Sequence, residues 1–339
     1  MRKVSYLSRG LADDAVQCQA CEHFCAIEVG ASGRCGVRRN IDGELHLVVY
    51  GEPIAAHVDP IEKKPLFHFL PGGSVFSIGT FGCNFRCSFC QNWQMSQTRD
   101  FDDQRHIGQP FEPQAIVDLC VRDDIPMIAY TYNEPTVFFE YTYDTARLAH
   151  ERGIKNIYVS NGYMSEAALN RIEPYLDAIN VDLKAFDDGF YREQCGARLA
   201  PVKRNIAHIA QNTDVWIEVT TLLIPGLNDS EAEIQAMVEW LVSVDPDIPW
   251  HISAFHPDYK MLDRPPTPHT SLMRAYELGR QAGLRYVYMG NVADSERGST
   301  RCPGCGRLLV QRDWYRVREV WRHRGVCPHC EQSIAGVWS

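Results

Sequence analysis

Between residues 74 and 290, short runs of apolar, β-branched and aromatic residues alternate with longer stretches whose apolar positions recur every three or four residues. The short runs predict strands over 74–80, 127–131, 156–160, 178–183, 215–222, 250–255 and 284–290. The periodic stretches predict helices over 113–122, 136–152, 165–173, 202–211, 230–244 and 269–282. Strands separated by helices pair in parallel through right-handed crossovers. Six or seven such units over about 220 residues predict an α/β fold, a partial (β/α)6-type barrel in preference to a flat doubly wound sheet.

Polar chemistry collects where these runs stop. After the first run come Cys83, Cys87 and Cys90; after the second, Tyr132-Asn133-Glu134-Pro135-Thr136; after the third, Asn161-Gly162-Tyr163. The fourth ends in Asp182-Leu183-Lys184, the fifth in Ile224-Pro225-Gly226-Leu227-Asn228-Asp229, the sixth in Phe255-His256-Pro257 and the last in Gly290-Asn291. Parallel strands place all these ends on one rim, where barrel sites are built.

Length and composition narrow the class. The 339 residues hold 45% hydrophobic and 23% charged side chains, which suits a folded globular chain. No run approaches the ~18 apolar residues of a membrane span, and Met1-Arg2-Lys3 leads into no apolar segment, so the expected address is the cytoplasm with no membrane partner. The net charge of −9 disfavours nucleic acid as a partner. From Thr300 onward, however, seven Arg face three acids (Asp313, Glu319, Glu331), a segment of +4 suited to a solvated module or an anionic contact.

Thirteen cysteines without a secretion signal point to metal in place of disulfides. Cys83, Cys87 and Cys90 form C-x3-C-x2-C, three thiolates within eight residues and no adjoining His for a zinc tetrahedron, a set that suits a [4Fe–4S] cluster with one iron left open. Cys302-x2-Cys305 and Cys327-x2-Cys330 pair two knuckles into a closed site, read as a zinc ribbon or rubredoxin-like module with zinc ahead of iron. Cys18, Cys21, Cys25 and Cys35 have a less regular spacing that fits zinc or an auxiliary [4Fe–4S] cluster, with His23 a ligand only if one Cys is free. Cys120 and Cys195 stand alone and read as core thiols. The chain therefore divides into a cysteine-rich module (1–70), a barrel (71–298) and a metal ribbon (299–339).

The triplet, with Phe89 before its last Cys, resembles the radical S-adenosylmethionine (SAM) superfamily, in the manner of the pyruvate formate-lyase and other glycyl-radical-enzyme activating enzymes. Blocks such as 57–65, Gln91-Asn92-Trp93, 131–136 and 225–229 also resemble the radical SAM members of the AmmeMemoRadiSam group. The resemblance implies a metal-binding oxidoreductase in which Asn133 and Glu134 meet the SAM amino group, while Ser160, Asn161, Gly162, Asp182 and Lys184 surround the ribose and methionyl carboxylate. His256 is a further candidate contact. It also implies reductive SAM cleavage to a 5′-deoxyadenosyl radical that abstracts hydrogen, an electron donor such as flavodoxin or ferredoxin, a polypeptide substrate, and AMMECR-family and Memo-family partners.

Each segment also has a plainer reading. Glu-Pro opens a helix, Asn-Gly makes a turn, and Asp-Leu-Lys ends a strand. Two other functions compete with catalysis: a non-catalytic zinc-binding interaction protein, and an iron–sulfur electron-transfer protein that binds no SAM. The target, protein or small molecule, is not written in any residue.

Overall fold

The computed structural model describes residues 1–98, 110–321 and 325–339. Arg322 and Arg324 of the basic segment lie outside the described residues. The protein is an α/β fold with a central parallel sheet, and its chain packs into two compact units. Among the described residues no helix is long and apolar enough to cross a membrane.

The first unit comprises Met1–Val58, Val75–Asp177 and Gln194–Ala197. Strand Met127–Tyr130 lies between strands Ser74–Gly79 and Lys155–Ser160, parallel to both, with Met127 opposite Val75 and Lys155. All four of its residues are buried, as an apolar run flanked on both edges requires. Helix Pro113–Arg122 starts on the predicted residue, because Pro at the first position forfeits only an N–H that has no helical partner. The helix predicted from 136 instead opens as a 3-10 turn, Pro135–Phe138, and becomes α-helical over Phe139–Glu151. Glu134 caps that turn by accepting the Thr136 N–H.

Before these elements, two three-stranded antiparallel sheets fold the N-terminal segment. One is Lys3–Val4, Glu44–Leu47 and Arg38–Ile41; the other is Ser8–Gly10, Val16–Cys18 and Ala26–Ile27. Arg38 and Glu140 form a fully buried ion pair, Nη2 to Oε2 2.7 Å. Glu140 also accepts from Ser5 Oγ and the Tyr6 N–H, and Arg38 Nε donates to the Val137 carbonyl, so both charges are solvated by protein. Deleting one partner of such a pair costs about 3–5 kcal/mol.

The second unit comprises Asp59–Ser74, Ala178–Glu193 and Arg198–Ser339. Its parallel strands run in chain order: Ala178–Asp182, Trp216–Leu223, Trp250–Ala254 and Val287–Gly290. Helices Leu199–Asn212, Glu231–Val244 and His269–Ala282 connect or follow them. The first of these begins three residues ahead of the predicted start at 202. Pro201 fits a first turn, and the Asp188 carboxylate accepts the Leu199 N–H. The last strand begins at Val287, later than the predicted 284, because the N–H groups of Leu284 and Arg285 are bonded to the Gly279 and Pro246 carbonyls.

Strands Thr300–Arg301, Leu308–Asp313 and Arg316–Val320 form an antiparallel ribbon sheet. Leu309, Val310 and Ile334 pack with Phe67, Tyr286 and Tyr288. Beside this core lies a buried polar network. Glu218 accepts the N–H groups of Phe67 and His68 and pairs with His251 Nε2 at 2.6 Å. Burial pushes its carboxyl up, but the His251 hydrogen bond and the charges around it outweigh that and hold it below the ordinary value.

Candidate metal and cofactor site

The loop after Ser74–Gly79 carries Cys83, Cys87 and Cys90, and the first unit holds it at several points. Asn133 spends its whole side chain there: Oδ1 accepts the Thr80 N–H, while Nδ2 faces Thr80 Oγ1 and the Phe81 and Gly82 carbonyls. Gly82 has φ +88°, and a Cβ there would stand 2.6 Å from the Cys35 carbonyl oxygen. Only glycine fits both that dihedral and that approach. On the other side of the loop, the N–H groups of Arg86 and Ser88 donate to the Cys195 and Gln194 carbonyls. Cys195 is fully buried, as its reading as a core thiol expects, and so is Cys120.

Around the thiols, the Phe85 N–H faces Cys83 Sγ at 3.4 Å and Ser96 Oγ lies 3.1 Å from Cys90 Sγ. Phe89 is buried beside them in the loop. Burial, and after it the negative charge of Glu134, pushes the Cys83 thiol well above its ordinary value. A thiolate at this position therefore needs the positive charge that bound metal brings.

Glu134 is 2% exposed and accepts bonds from four groups. Thr136 N–H and Oγ reach Oε1 at 3.1 and 2.5 Å, Ser160 Oγ lies 2.9 Å from Oε1, and the Asn161 N–H reaches Oε2 at 2.8 Å. Burial raises its pKa and these donors oppose the rise. Ser160 Oγ in turn accepts the Gly162 N–H, and Gly162 turns the chain at φ +70°. The Asn161 side chain accepts from the Tyr163 N–H and donates to Asn84 Oδ1 at 2.8 Å. The second and third strand ends are thus joined to the cysteine loop through one acid and two amides.

In the second unit, Lys184 Nζ pairs with Asp182 Oδ2 at 2.9 Å, two residues apart at a strand end. The Lys184 backbone is fixed by Tyr191 Oη and Asn228 Nδ2. His256 is exposed, with Nδ1 3.5 Å from the Pro257 carbonyl.

The other two cysteine groups also converge. Cys302, Cys305, Cys327 and Cys330 have sulfurs all within 4.8 Å of one another, with Cys302 to Cys330 at 3.5 Å and Cys305 to Cys327 at 3.7 Å. Thiolates ~2.3 Å from one tetrahedral ion sit at about this separation. Cys18, Cys21, Cys25 and Cys35 line one cavity with His23, Arg34, Arg38 and Asn84. His23 Nε2 is 3.0 Å from the Asn84 carbonyl, which turns that nitrogen away from a ligand role.

Asn84, Ser96 and the 194–196 segment were not legible as site residues beforehand. Asn84 lay inside the C-x3-C spacing, and a polar side chain between two cysteines was the one available signal.

Residues 77–241 match the Radical SAM superfamily. Protein MJ0808 of Methanocaldococcus jannaschii is 41% identical over 92% of this chain and 92% of its own length. The choline trimethylamine-lyase activating enzyme of Oleidesulfovibrio alaskensis is 24% identical over 46% of each chain. The crystal structure of Streptococcus suis SuiB bound to S-adenosylmethionine superposes with a TM-score of 0.50 at 12% identity, covering 68% of this chain and 53% of that one. That likeness concerns the fold.

Proposed function

This chain belongs to the radical SAM superfamily, and we propose that it is a SAM-cleaving enzyme whose iron–sulfur cluster sits on Cys83, Cys87 and Cys90. The observation that carries this reading is the buried Glu134, close enough to Cys83 to raise its thiol pKa and tied to the ends of two strands. Three thiols on one short, anchored loop fit a cluster with a single iron open to a ligand. When bound, that cluster and SAM supply one-electron cleavage of a sulfonium C–S bond, giving methionine and a 5′-deoxyadenosyl radical that takes hydrogen from the substrate.

The chain's own residues do the holding. Glu134 Oε2 presents a negative acceptor for the cofactor amine, fixed by the Asn161 N–H so that its orientation is set beforehand. Ser160 and Gly162 shape the adjoining backbone. Lys184 is assigned to the methionyl carboxylate, with Asp182 and Asn161 assigned to ribose hydroxyls and His256 to a peripheral contact. Asn133, whose amide is spent on residues 80–82, acts as a positioning residue for the cysteine loop.

Residues 299–339 act as a structural ribbon, with zinc as its metal, and 1–70 as a cysteine-rich module, of which Met1–Val58 packs within the first unit. A cytoplasmic one-electron donor of the flavodoxin or ferredoxin class supplies reducing equivalents. The likeness to an activating enzyme favours a polypeptide substrate, with AMMECR-family and Memo-family proteins as associates.

Anaerobically reconstituted protein, reduced with dithionite and given SAM, is expected to release 5′-deoxyadenosine and methionine in equal amounts. Cys87→Ala is expected to release neither while keeping its ribbon metal. Undiminished cleavage by that variant would overturn the assignment.

A further inference from the structure

The four thiols of Cys18, Cys21, Cys25 and Cys35 face one cavity in the first unit, yet they are not set for one ion. Among the described residues, the ribbon is the one group of three or more His, Cys, Asp or Glu whose ligand atoms all lie within 4.8 Å of one another. The N-terminal quartet is wider, and so is the Cys83, Cys87, Cys90 triplet. A tetrahedral zinc with bonds of ~2.3 Å draws four sulfurs together as the ribbon does, whereas a cubane, with an iron at each ligated corner, spreads them apart.

The quartet also has the backbone dressing of bound thiolates. The Ala20 backbone beside Cys18, the His23 backbone beside Cys21 and the Val37 and Arg38 backbone beside Cys35 each favour the thiolate against burial. The same two-residue knuckle occurs at Cys83 with Phe85 and in the ribbon at Cys327 with His329. Donors of this kind hold ligand sulfurs in place and tune a cluster's potential.

We propose that Cys18, Cys21, Cys25 and Cys35 hold a second iron–sulfur cluster, a [4Fe–4S] centre with every iron capped by protein, in place of the zinc their spacing equally fits. With no open iron it binds no SAM. Its neighbour gives it a role: Asn84 lines the quartet's cavity and follows Cys83 directly, and a Cβ on Gly82 would stand 2.6 Å from the Cys35 carbonyl oxygen. The loop that carries the triplet therefore borders the quartet's cavity at Asn84. Bound there, such a cluster would supply a one-electron way station between a flavin or iron–sulfur donor protein and the triplet's site. This relay rests on the reading of the triplet given above; the site itself does not.

The test removes the triplet. Cys83→Ala/Cys87→Ala/Cys90→Ala protein, made and purified anaerobically, is expected to keep about four iron and about four sulfide per chain, one zinc at the ribbon, and a dithionite-reduced EPR signal that SAM does not alter. Adding Cys18→Ala and Cys21→Ala should remove that iron. Should the triple variant fail to fold, Cys35→Ala in the otherwise intact chain is expected to halve the iron while the SAM-responsive signal persists. Two zinc and no iron in the triple variant would make the quartet a zinc site and overturn the proposal. A chain with only the ribbon metal would show the quartet to be no metal site. Iron that survives loss of Cys18 and Cys21 would place the cluster elsewhere. None of these outcomes depends on SAM cleavage, so failure here is separable from failure of the catalytic reading.

Discussion

The backbone N–H of Asn161 donates to the Glu134 carboxylate across 2.8 Å, so the ends of two adjacent parallel strands share one buried acid. The same acid caps the turn Pro135–Phe138. Glu134→Gln separates the two duties. An amide turned against the Asn161 or Thr136 N–H sets donor against donor, which should cost about 1–3 kcal/mol in urea unfolding. Loss of the charge should weaken SAM by roughly ten- to a hundred-fold, the scale of about 1.5–3 kcal/mol for a hydrogen bond to a charged group. Titrating SAM with cluster absorbance as the internal control measures the second effect, and unchanged affinity would leave Glu134 with only its capping role.

Gly82→Ala should be among the most disruptive single-methyl additions in the chain. The residue has φ +88°, and the new Cβ would meet the Cys35 carbonyl at 2.6 Å and the Val37 side chain at 2.7 Å. Backbone strain and overpacking together predict a loss of about 2–4 kcal/mol. Thermal unfolding of the apo-protein would register it, together with poorer iron retention at Cys83.

Acid sensitivity should originate in the second unit. His68 is fully buried, with Nδ1 2.6 Å from the Ala335 carbonyl and Nε2 2.5 Å from Tyr288 Oη, which fits a neutral ring that donates from Nδ1 and accepts at Nε2. Burial pushes its pKa down to about 4. A depressed pKa means that the unfolded chain binds the proton more readily, so the stabilisation is complete above ~6.5 and is lost as pH falls toward 4. The loss is on the order of 3 kcal/mol. Glu218, also held low, adds to it only below the ordinary carboxyl range. Urea midpoints between pH 6.5 and 4.5 therefore read the histidine against the opposite contribution of carboxyls that burial raises, such as Glu134, and His68→Phe should remove the histidine's share of that slope.

Cys305→Ala should remove one metal ion per chain. Cys305 and Cys330 are exposed while Cys302 and Cys327 are buried, so the loss opens the site on its solvent side. The ribbon, whose Leu309, Val310 and Ile334 share their core with Phe67, Tyr286 and Tyr288, should then become more labile to protease over residues 300–339 while the cluster of the triplet persists. Coincident loss of SAM cleavage with that cluster intact would mean that the ribbon takes part in electron delivery.

Much of this was written locally in the chain. The apolar runs that predict strands are continuous because Met127–Tyr130 and its neighbours are buried on both faces, and helix His269–Ala282 is framed by Pro268 and Gly283 at its two ends. The cysteine groups announced themselves by spacing. What stayed hidden depends on partners far along the chain. Asn133 reads as a cofactor contact in the sequence, and its side-chain bonds to residues 80–82, some fifty residues earlier, are not written in that reading. Residues 194–197 join the first unit although they sit between segments of the second, a placement no periodicity encodes. Asp182 and Lys184 pair with each other, and a strand-end motif does not reveal whether its charges point outward or inward.

The room that Gly82 leaves for the Cys35 carbonyl also bears on the order in which the protein is made. Cys35 leaves the ribosome 48 residues ahead of Cys83, about 2 to 10 s at ~5–20 residues per second. The N-terminal thiols and the carbonyl against which the later loop rests are therefore both available before that loop is synthesised. The segment that carries Cys35 is thus made before the loop whose Gly82 must later come close to its carbonyl.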